Sequence, residues 1–328
     1  MDIRIITGPQ VYQLLPMKKC ISLMAETLET FAEGGSLNPL RTAMWFPDKS
    51  GLLGVMPGYL KTPECTGLKV VSVMPGNHGT GHDSHQGMVM LFETKYGCPL
   101  AMIDASAITA IRTAAASAVA TDLLARKDAA TLALLGSGVQ AETHLEAMLA
   151  VRNISNAAVW SATAANAERF AGEASDKYQL PVQAKATAHE AVSEADIICT
   201  ITAAKEPVLH GDWIQPGAHI NAVGACFRAF RELDTAAVAN ARLYIDCRES
   251  TLNEAGDFLI PQAEGVIDES HIIGEIGEIL AGKINARETE NEITLFKSLG
   301  IALEDLGAAW HIYQEAERSG IGTTIVLT

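Results

Sequence analysis

Residues 131–141, TLALLGSGVQA, constrain the fold of this chain more than any other stretch. Five mostly apolar residues run into Gly136, Ser137 and Gly138, followed by Val139, Gln140 and the small Ala141. This is the GxGxxA form of the dinucleotide fingerprint, which needs a strand, a tight turn and a helix in that order. Gly136 permits the turn, Gly138 lets the backbone approach a pyrophosphate, and Ala141 lets the new helix pack closely on the strand. Free N–H groups and the positive end of the helix dipole then face the phosphates. Gly136, Ser137, Gly138, Val139 and Gln140 are therefore candidate cofactor-binding residues.

The surrounding pattern supplies the context that a lone glycine motif lacks. Strand-like runs at 131–135, 157–160, 182–186, 197–202, 218–223 and 243–246 are spaced by helical segments after Val139, around 166–174 and after Thr187. Such alternation calls for crossover connections, hence a parallel sheet covered on both faces. Thr202, Val223 and Gly224 stand at the ends of two of these runs and join the cofactor candidates. Upstream the pattern differs. A strand at 3–7 and a helical region from Pro9 precede an amphipathic helix over 16–33, with Met17, Cys20, Ile21, Met24, Leu28 and Phe31 on its buried face. Runs at 41–46, 52–56, 67–74, 86–93 and 99–104 follow without helices between them, predicting an antiparallel sheet. An alanine-rich helix over 106–126 leads onward, and the tail from Thr294 reads as an amphipathic helix through Leu299, Leu303, Leu306, Ala309 and Trp310. A chain of 328 residues is long enough for two domains. The expected fold class is α/β, a doubly wound parallel sheet beside an α+β region.

Composition narrows the partners. With 48% hydrophobic and 19% charged residues the chain reads as an ordinary globular protein with no membrane span. Its net charge of −15 disfavours nucleic acid and anionic membranes, which reward a basic surface. Cys20, Cys65, Cys98, Cys199, Cys226 and Cys247 are widely spaced, and MDIRIITGPQ carries no export signal, so a cytoplasmic protein with reduced thiols is expected.

Within that acidic chain three cations stand among apolar residues: Arg41 in PLRTAMW, Lys69 in TGLKVVSV and Arg112 in ITAIRTAAAS. A charge so placed must be paired or functional. Three of them ahead of a dinucleotide domain favour a pocket for a small anion. The loop NHGTGHDSH, from Asn77 to His85, matches no compact zinc spacing and reads as a glycine-rich substrate loop, with His85 touching substrate or fixing a neighbouring cation and no metal expected. Cys226, in NAVGACFRAFRELD, follows a strand end, where open α/β sheets bind ligands, although a buried inert thiol fits it equally. Arg228, two residues past Cys226, adds a further cation near the pocket, or else a plain surface charge.

Cofactor choice rests on the residues after the second strand of the series. Ser161, Ala162 and Thr163 stand where an acidic residue would hold a ribose 2′-OH or an arginine a 2′-phosphate. Either NAD(H) or NADP(H) remains open, with NAD(H) slightly favoured because nothing cationic is in place.

The chain resembles the ornithine cyclodeaminase and mu-crystallin family through LGVMPGY, TGLKVVSV, SHQGMVMLFE, DASAITAIRTAAAS, LLGSGVQAETH, ADIICTITAAKEPVL, PGAHINAVGA, RELD and TLFKSLGIALEDL. The resemblance implies a substrate-binding and dimerisation domain (1–120 with 302–328), an inserted Rossmann domain (121–301) and a homodimer. It also implies that Arg41, Lys69 and Arg112 are substrate-carboxylate and active-site positions, with Lys69 and Arg112 catalytic, and that Thr113 and Ser298 approach the cofactor or the site. At Cys226 the chain departs from cyclodeaminases and archaeal alanine dehydrogenases, which carry aspartate there. Without that carboxylate a general base is missing. The expected reaction is reduction of an α-imino acid, a cyclic ketimine or iminosuccinate, to the L-amino acid. A cyclodeaminase or alanine dehydrogenase, or a crystallin that binds cofactor without turnover, are the rival readings.

Overall fold

The first strand, β1 (Asp2–Ile6), leads into α1 (Gly8–Leu14), where Pro9 occupies the first turn that tolerates its missing N–H. Helix α2 (Met17–Glu33) buries Met17, Cys20, Met24 and Leu28 along one face. Strands β2 (Thr42–Trp45), β3 (Leu52–Leu60), β4 (Cys65–Val73), β5 (His85–Phe92) and β6 (Pro99–Asp104) follow as an antiparallel meander. Along β3 the even-numbered residues Leu52, Met56 and Leu60 are buried and the odd-numbered ones are not, the period-2 pattern of a sheet covered on one face. Helix α3 (Ala105–Leu124) is long and apolar enough to cross a membrane by length and composition, yet 83% of its apolar window is buried in the fold.

The alternating region comprises β7 (Thr131–Leu135), α4 (Val139–Val151), β8 (Asn156–Trp160), α5 (Ala164–Tyr178), β9 (Val182–Ala184), α6 (Ala188–Val192) and β10 (Ile197–Thr200). It continues with β11 (His219–Ala222), α7 (Thr235–Ala239), β12 (Ala241–Ile245), α8 (Arg248–Glu254), α9 (Gly256–Ala263), β13 (Ile272–Glu275), α10 (Ile276–Leu280) and β14 (Ile293–Lys297). Its eight strands form one parallel sheet in the order β13-β12-β14-β11-β10-β7-β8-β9. The direction of winding reverses between β7 and β10, the switch point at which open sheets of this kind bind ligands beyond the strand C-termini. Ala133, Leu135, Ile198, Ile220, Leu243 and Leu295, which the register places on one face of the sheet, make a buried core there. The chain closes with α11 (Ala302–Ser319) and β15 (Thr323–Val326), which extend the other sheet to the order β15-β1-β6-β5-β4-β3-β2.

The computed structural model describes residues 2–77 and 80–326. It divides into two compact units, Met1–Arg112 with Gly300–Thr328, and Thr113–Leu299. Sequence placed the boundaries at 120/121 and 301/302. The first falls earlier, at Arg112/Thr113, and Ser117 accordingly bonds within the second unit, its Oγ 3.0 Å from His144 Nε2. A second correction concerns the tail. Residues 293–297 are not helical but form β14, inside the parallel sheet between β11 and β12, and the helix begins only at Ala302. Gly300, at φ +72°, breaks the chain between them.

Candidate active site

In the first unit the register of the meander sets the site. Lys69 pairs with Met56 and Val89, on the face of the sheet that α11 covers. Gly67, two residues earlier on that face, permits the close approach: a Cβ there would lie 2.8 Å from Leu306 Cδ2 of α11. The helix consequently sets Glu304 and Asp305, both in its first turn, against the cations of the sheet and of α3. Carboxylates in a first turn are also favoured by the helix dipole.

The Lys69 ammonium lies 2.7 Å from Asp305 Oδ2 and 3.5 Å from Thr109 Oγ1. Arg112 Nε donates to Asp305 Oδ1 at 3.0 Å, and Nη1 to Glu304 Oε2 at 2.6 Å. All four side chains are at most 5% exposed. Arg41 Nη2 donates to the carbonyl of Gly300 at 2.9 Å, and a Cβ on the same glycine would collide with the Arg112 guanidinium. Three cations distant in sequence thus gather about two carboxylates. Burial and the Arg112 and Arg41 charges push the Lys69 ammonium down to about 8, against the opposing pull of Asp305. Burial pulls Arg112 down, but Asp305 and Glu304 more than offset it and push the guanidinium above its ordinary value. Asp305, although buried, is kept below the usual carboxylate range by Arg112 and Lys69.

His85 opens β5, and its Nδ1 lies 3.1 Å from Ser84 Oγ. Although His85 is exposed, desolvation and then the Lys69 charge push its imidazole below the ordinary histidine value. Of the other loop histidines, His82 is exposed and His78 lies outside the described residues. Among the described residues no group of three or more candidate ligands is placed to hold a metal ion.

The second unit, taken by itself, carries the fingerprint as a strand, turn and helix. Gly136 adopts φ +123°, and a Cβ there would lie 2.7 Å from the carbonyl oxygen of Ile201. Gly138 is the N-cap of α4, with open space where its Cβ would be. Open backbone at a helix N-terminus suits a pyrophosphate. Ser298, just past β14 and 1% exposed, has a hydroxyl with no hydrogen-bond partner among the described residues. Both observations fit a bound dinucleotide. Thr113 and Val223 are buried, Thr202 and Gly224 half-buried, and Thr163 is the exposed N-cap of α5 just beyond Ser161. Cys226 is half-buried, its thiol donating to Val223 O at 3.5 Å, and Arg228 is exposed.

Sequence reasoning missed Glu304 and Asp305. The signal was present: an acidic pair inside the apolar run IALEDLGAAW is the same anomaly that singled out the three cations.

With this geometry in hand, the chain can be set beside known proteins. The pattern of the ornithine cyclodeaminase/mu-crystallin family matches residues 3–320. The chain belongs to that family. It is 38% identical over 322 residues to a Delta(1)-pyrroline-2-carboxylate reductase from Bacillus cereus, covering 98% of this chain and 99% of the relative. The ketimine reductase mu-crystallin of Mus musculus is 41% identical over 281 residues, 86% of each chain. Among solved structures, Thermococcus litoralis Delta(1)-pyrroline-2-carboxylate reductase, in complex with NADH and L-proline, superimposes with a TM-score of 0.96 at 41% identity, covering 98% of this chain and 100% of that one. The family match spans nearly all of both units, including the cation cluster and the dinucleotide fingerprint.

Proposed function

We propose that this ornithine cyclodeaminase/mu-crystallin family member reduces the C=N bond of a small α-imino acid to the L-amino acid with NAD(P)H, a cyclic ketimine of the pyrroline-2-carboxylate type being its first substrate. The observation that carries this is the buried Lys69–Asp305–Arg112 arrangement, an ammonium with a loosened proton beside a guanidinium locked in its charged form. Relatives of 38% and 41% identity named as pyrroline-2-carboxylate and ketimine reductases support the substrate class.

Arg112 and Arg41 would bind the substrate carboxylate, arginine being suited to a two-point grip. Lys69 would hold the imine nitrogen protonated, which makes the adjacent carbon electrophilic. Asp305 restrains both cations and keeps the Lys69 proton available. Gly136, Ser137, Gly138, Val139 and Gln140 would cradle the pyrophosphate, with Thr113, Ser161, Thr163, Thr202, Val223, Gly224 and Ser298 as further cofactor contacts. The nicotinamide, when bound, supplies the hydride. NADH is the favoured form, because Ser161, Ala162 and Thr163 offer a 2′-phosphate no cation.

Cyclodeamination is disfavoured at Cys226, which offers a thiol where a carboxylate base is needed. A homodimer is supported by the outer face of the first unit's sheet. Met44, Leu53, Val55, Val70 and Met88 share that face and are left exposed or half-buried, an apolar stripe that a second copy would cover. Sedimentation would read a dimer mass if so. The reaction is tested by one panel, following NADH and NADPH oxidation with pyrroline-2-carboxylate, piperideine-2-carboxylate, and oxaloacetate plus ammonia, with ammonia release from ornithine as the counter-assay. Rapid turnover of a cyclic ketimine is expected. Turnover of ornithine alone would overturn the reading, and preference for oxaloacetate plus ammonia would move it to iminosuccinate, with Cys226 and Arg228 as its added contacts.

A further inference from the structure

We infer that Glu232 is a positioning residue for the nicotinamide half of the cofactor site, tying the loop after β10 to the loop after β11. This rests on the reading that the second unit binds NAD(P)H. Glu232 is fully buried, and its carboxylate accepts four hydrogen bonds. Oε1 takes the Thr202 N–H at 2.6 Å and the Thr202 hydroxyl at 2.7 Å; Oε2 takes the Thr200 hydroxyl at 2.8 Å and the Gly224 N–H at 2.7 Å. Burial and the Asp257 charge push the Glu232 carboxyl up, while the four donors match the full acceptor capacity of its ionised form. The two loops meet closely at Gly224, where a Cβ would collide first with the Thr202 carbonyl oxygen and then with Glu232 Oε1 at 2.6 Å.

The clamp is itself anchored. Asp257 Oδ1 accepts the N–H groups of Glu232 and Leu233 at 2.8 and 3.0 Å, while Oδ2 lies 2.9 Å from the buried Lys297 ammonium. Lys297 also donates to the carbonyls of Ala222 and Ala225, at 3.3 and 2.7 Å. A hydrophobic plug would stabilise these loops as well as three buried charges do, since buried ion pairs seldom add net stability. What the charges add is a fixed relative placement of two strand ends on the side of the switch point away from the α4 pyrophosphate cradle. In a doubly wound sheet that side receives the nicotinamide half of a dinucleotide.

The test uses the isosteric Glu232→Gln, which sets an NH2 against N–H and O–H donors. Fluorescence titration gives the NADH affinity, and competition gives the affinity for ADP-ribose, which lacks the nicotinamide. Glu232→Gln is expected to weaken NADH at least tenfold while changing ADP-ribose less than twofold, with KM for the imine unchanged. Equal weakening of both ligands, or of neither, would overturn the positioning role while leaving the cofactor reading intact. Failure of the parent protein to bind NADH and NADPH would overturn the cofactor reading itself, and this inference with it. Should Glu232→Gln not fold, Thr200→Val removes one donor from the clamp and touches no proposed cofactor contact. It is expected to weaken NADH at least threefold with ADP-ribose unchanged, and an unchanged NADH affinity would refute the proposal.

Discussion

Gly300→Ala is a one-atom perturbation aimed at the cation cluster. Gly300 has φ +72°, its carbonyl anchors Arg41, and a Cβ on it would lie 2.7 Å from Nη2 and 2.9 Å from Cζ of Arg112. An alanine in the left-handed region costs about 1–2 kcal/mol. Those separations are also far inside van der Waals contact, so the guanidinium must retreat, giving up its bond to Glu304 or Asp305. Breaking a buried charged pair costs about 3–5 kcal/mol, and partial relaxation of a long side chain returns some of it. A loss of stability between about 2 and 5 kcal/mol is therefore expected in the first unit. For catalysis, displacement of a positioning group by about 1 Å is worth on the order of a hundredfold. The assay is kcat/KM for pyrroline-2-carboxylate, with NADH affinity as the control, since the proposed cradle belongs to the other unit. A hundredfold fall in kcat/KM with NADH affinity within twofold is expected. Parent-like kcat/KM and melting temperature would refute the packing of Arg112 on Gly300.

Three further outcomes follow from the same geometry. With Lys69 pushed down to about 8 and required as the ammonium, the rate of imine reduction should be flat below that pH and fall about tenfold per unit above it; Lys69→Arg, which keeps charge without a transferable proton, should lower kcat at least about tenfold and remove that limb. Gly136→Ala places a methyl 2.7 Å from the Ile201 carbonyl at φ +123°, so NADH binding measured by fluorescence should be lost, whereas retained affinity would mean the turn relaxes freely. Ala162→Arg, on the exposed residue after β8, should raise kcat/KM for NADPH relative to NADH by about tenfold or more, equivalent to about 1.4 kcal/mol, and an unchanged ratio would place the 2′-phosphate elsewhere.

The two layers of this protein were unequally legible in its sequence. Helix α2 declared itself by its apolar spacing, and β6 and β7 by apolar runs bounded by turn residues. Strand β14 did not, because ITLFK lies directly before an amphipathic helix and shares its apolar character; only the backbone at Gly300 separates the two. Strand β13 and helices α8 to α10 are short, and their faces are set by tertiary packing that leaves little periodicity to read. The site divides in the same way. Arg41, Lys69 and Arg112 stood out as charges among apolar neighbours, but their common focus on Gly300 and Asp305 joins residues 41, 69, 112 and 305, and no local pattern reports such a distance. The RELD motif was visible, while the four-bond clamp made by its glutamate depends on where β10 and β11 end.

The central claim is that a hydride reaches the imine carbon of a cyclic α-imino acid. Incubation with pyrroline-2-carboxylate and NADH dideuterated at the nicotinamide C4, followed by mass spectrometry of the amino-acid product, tests it most directly. L-Proline carrying one deuterium at Cα is expected for each NADH oxidised. Proline without label, or NADH oxidation with no proline formed, would contradict it.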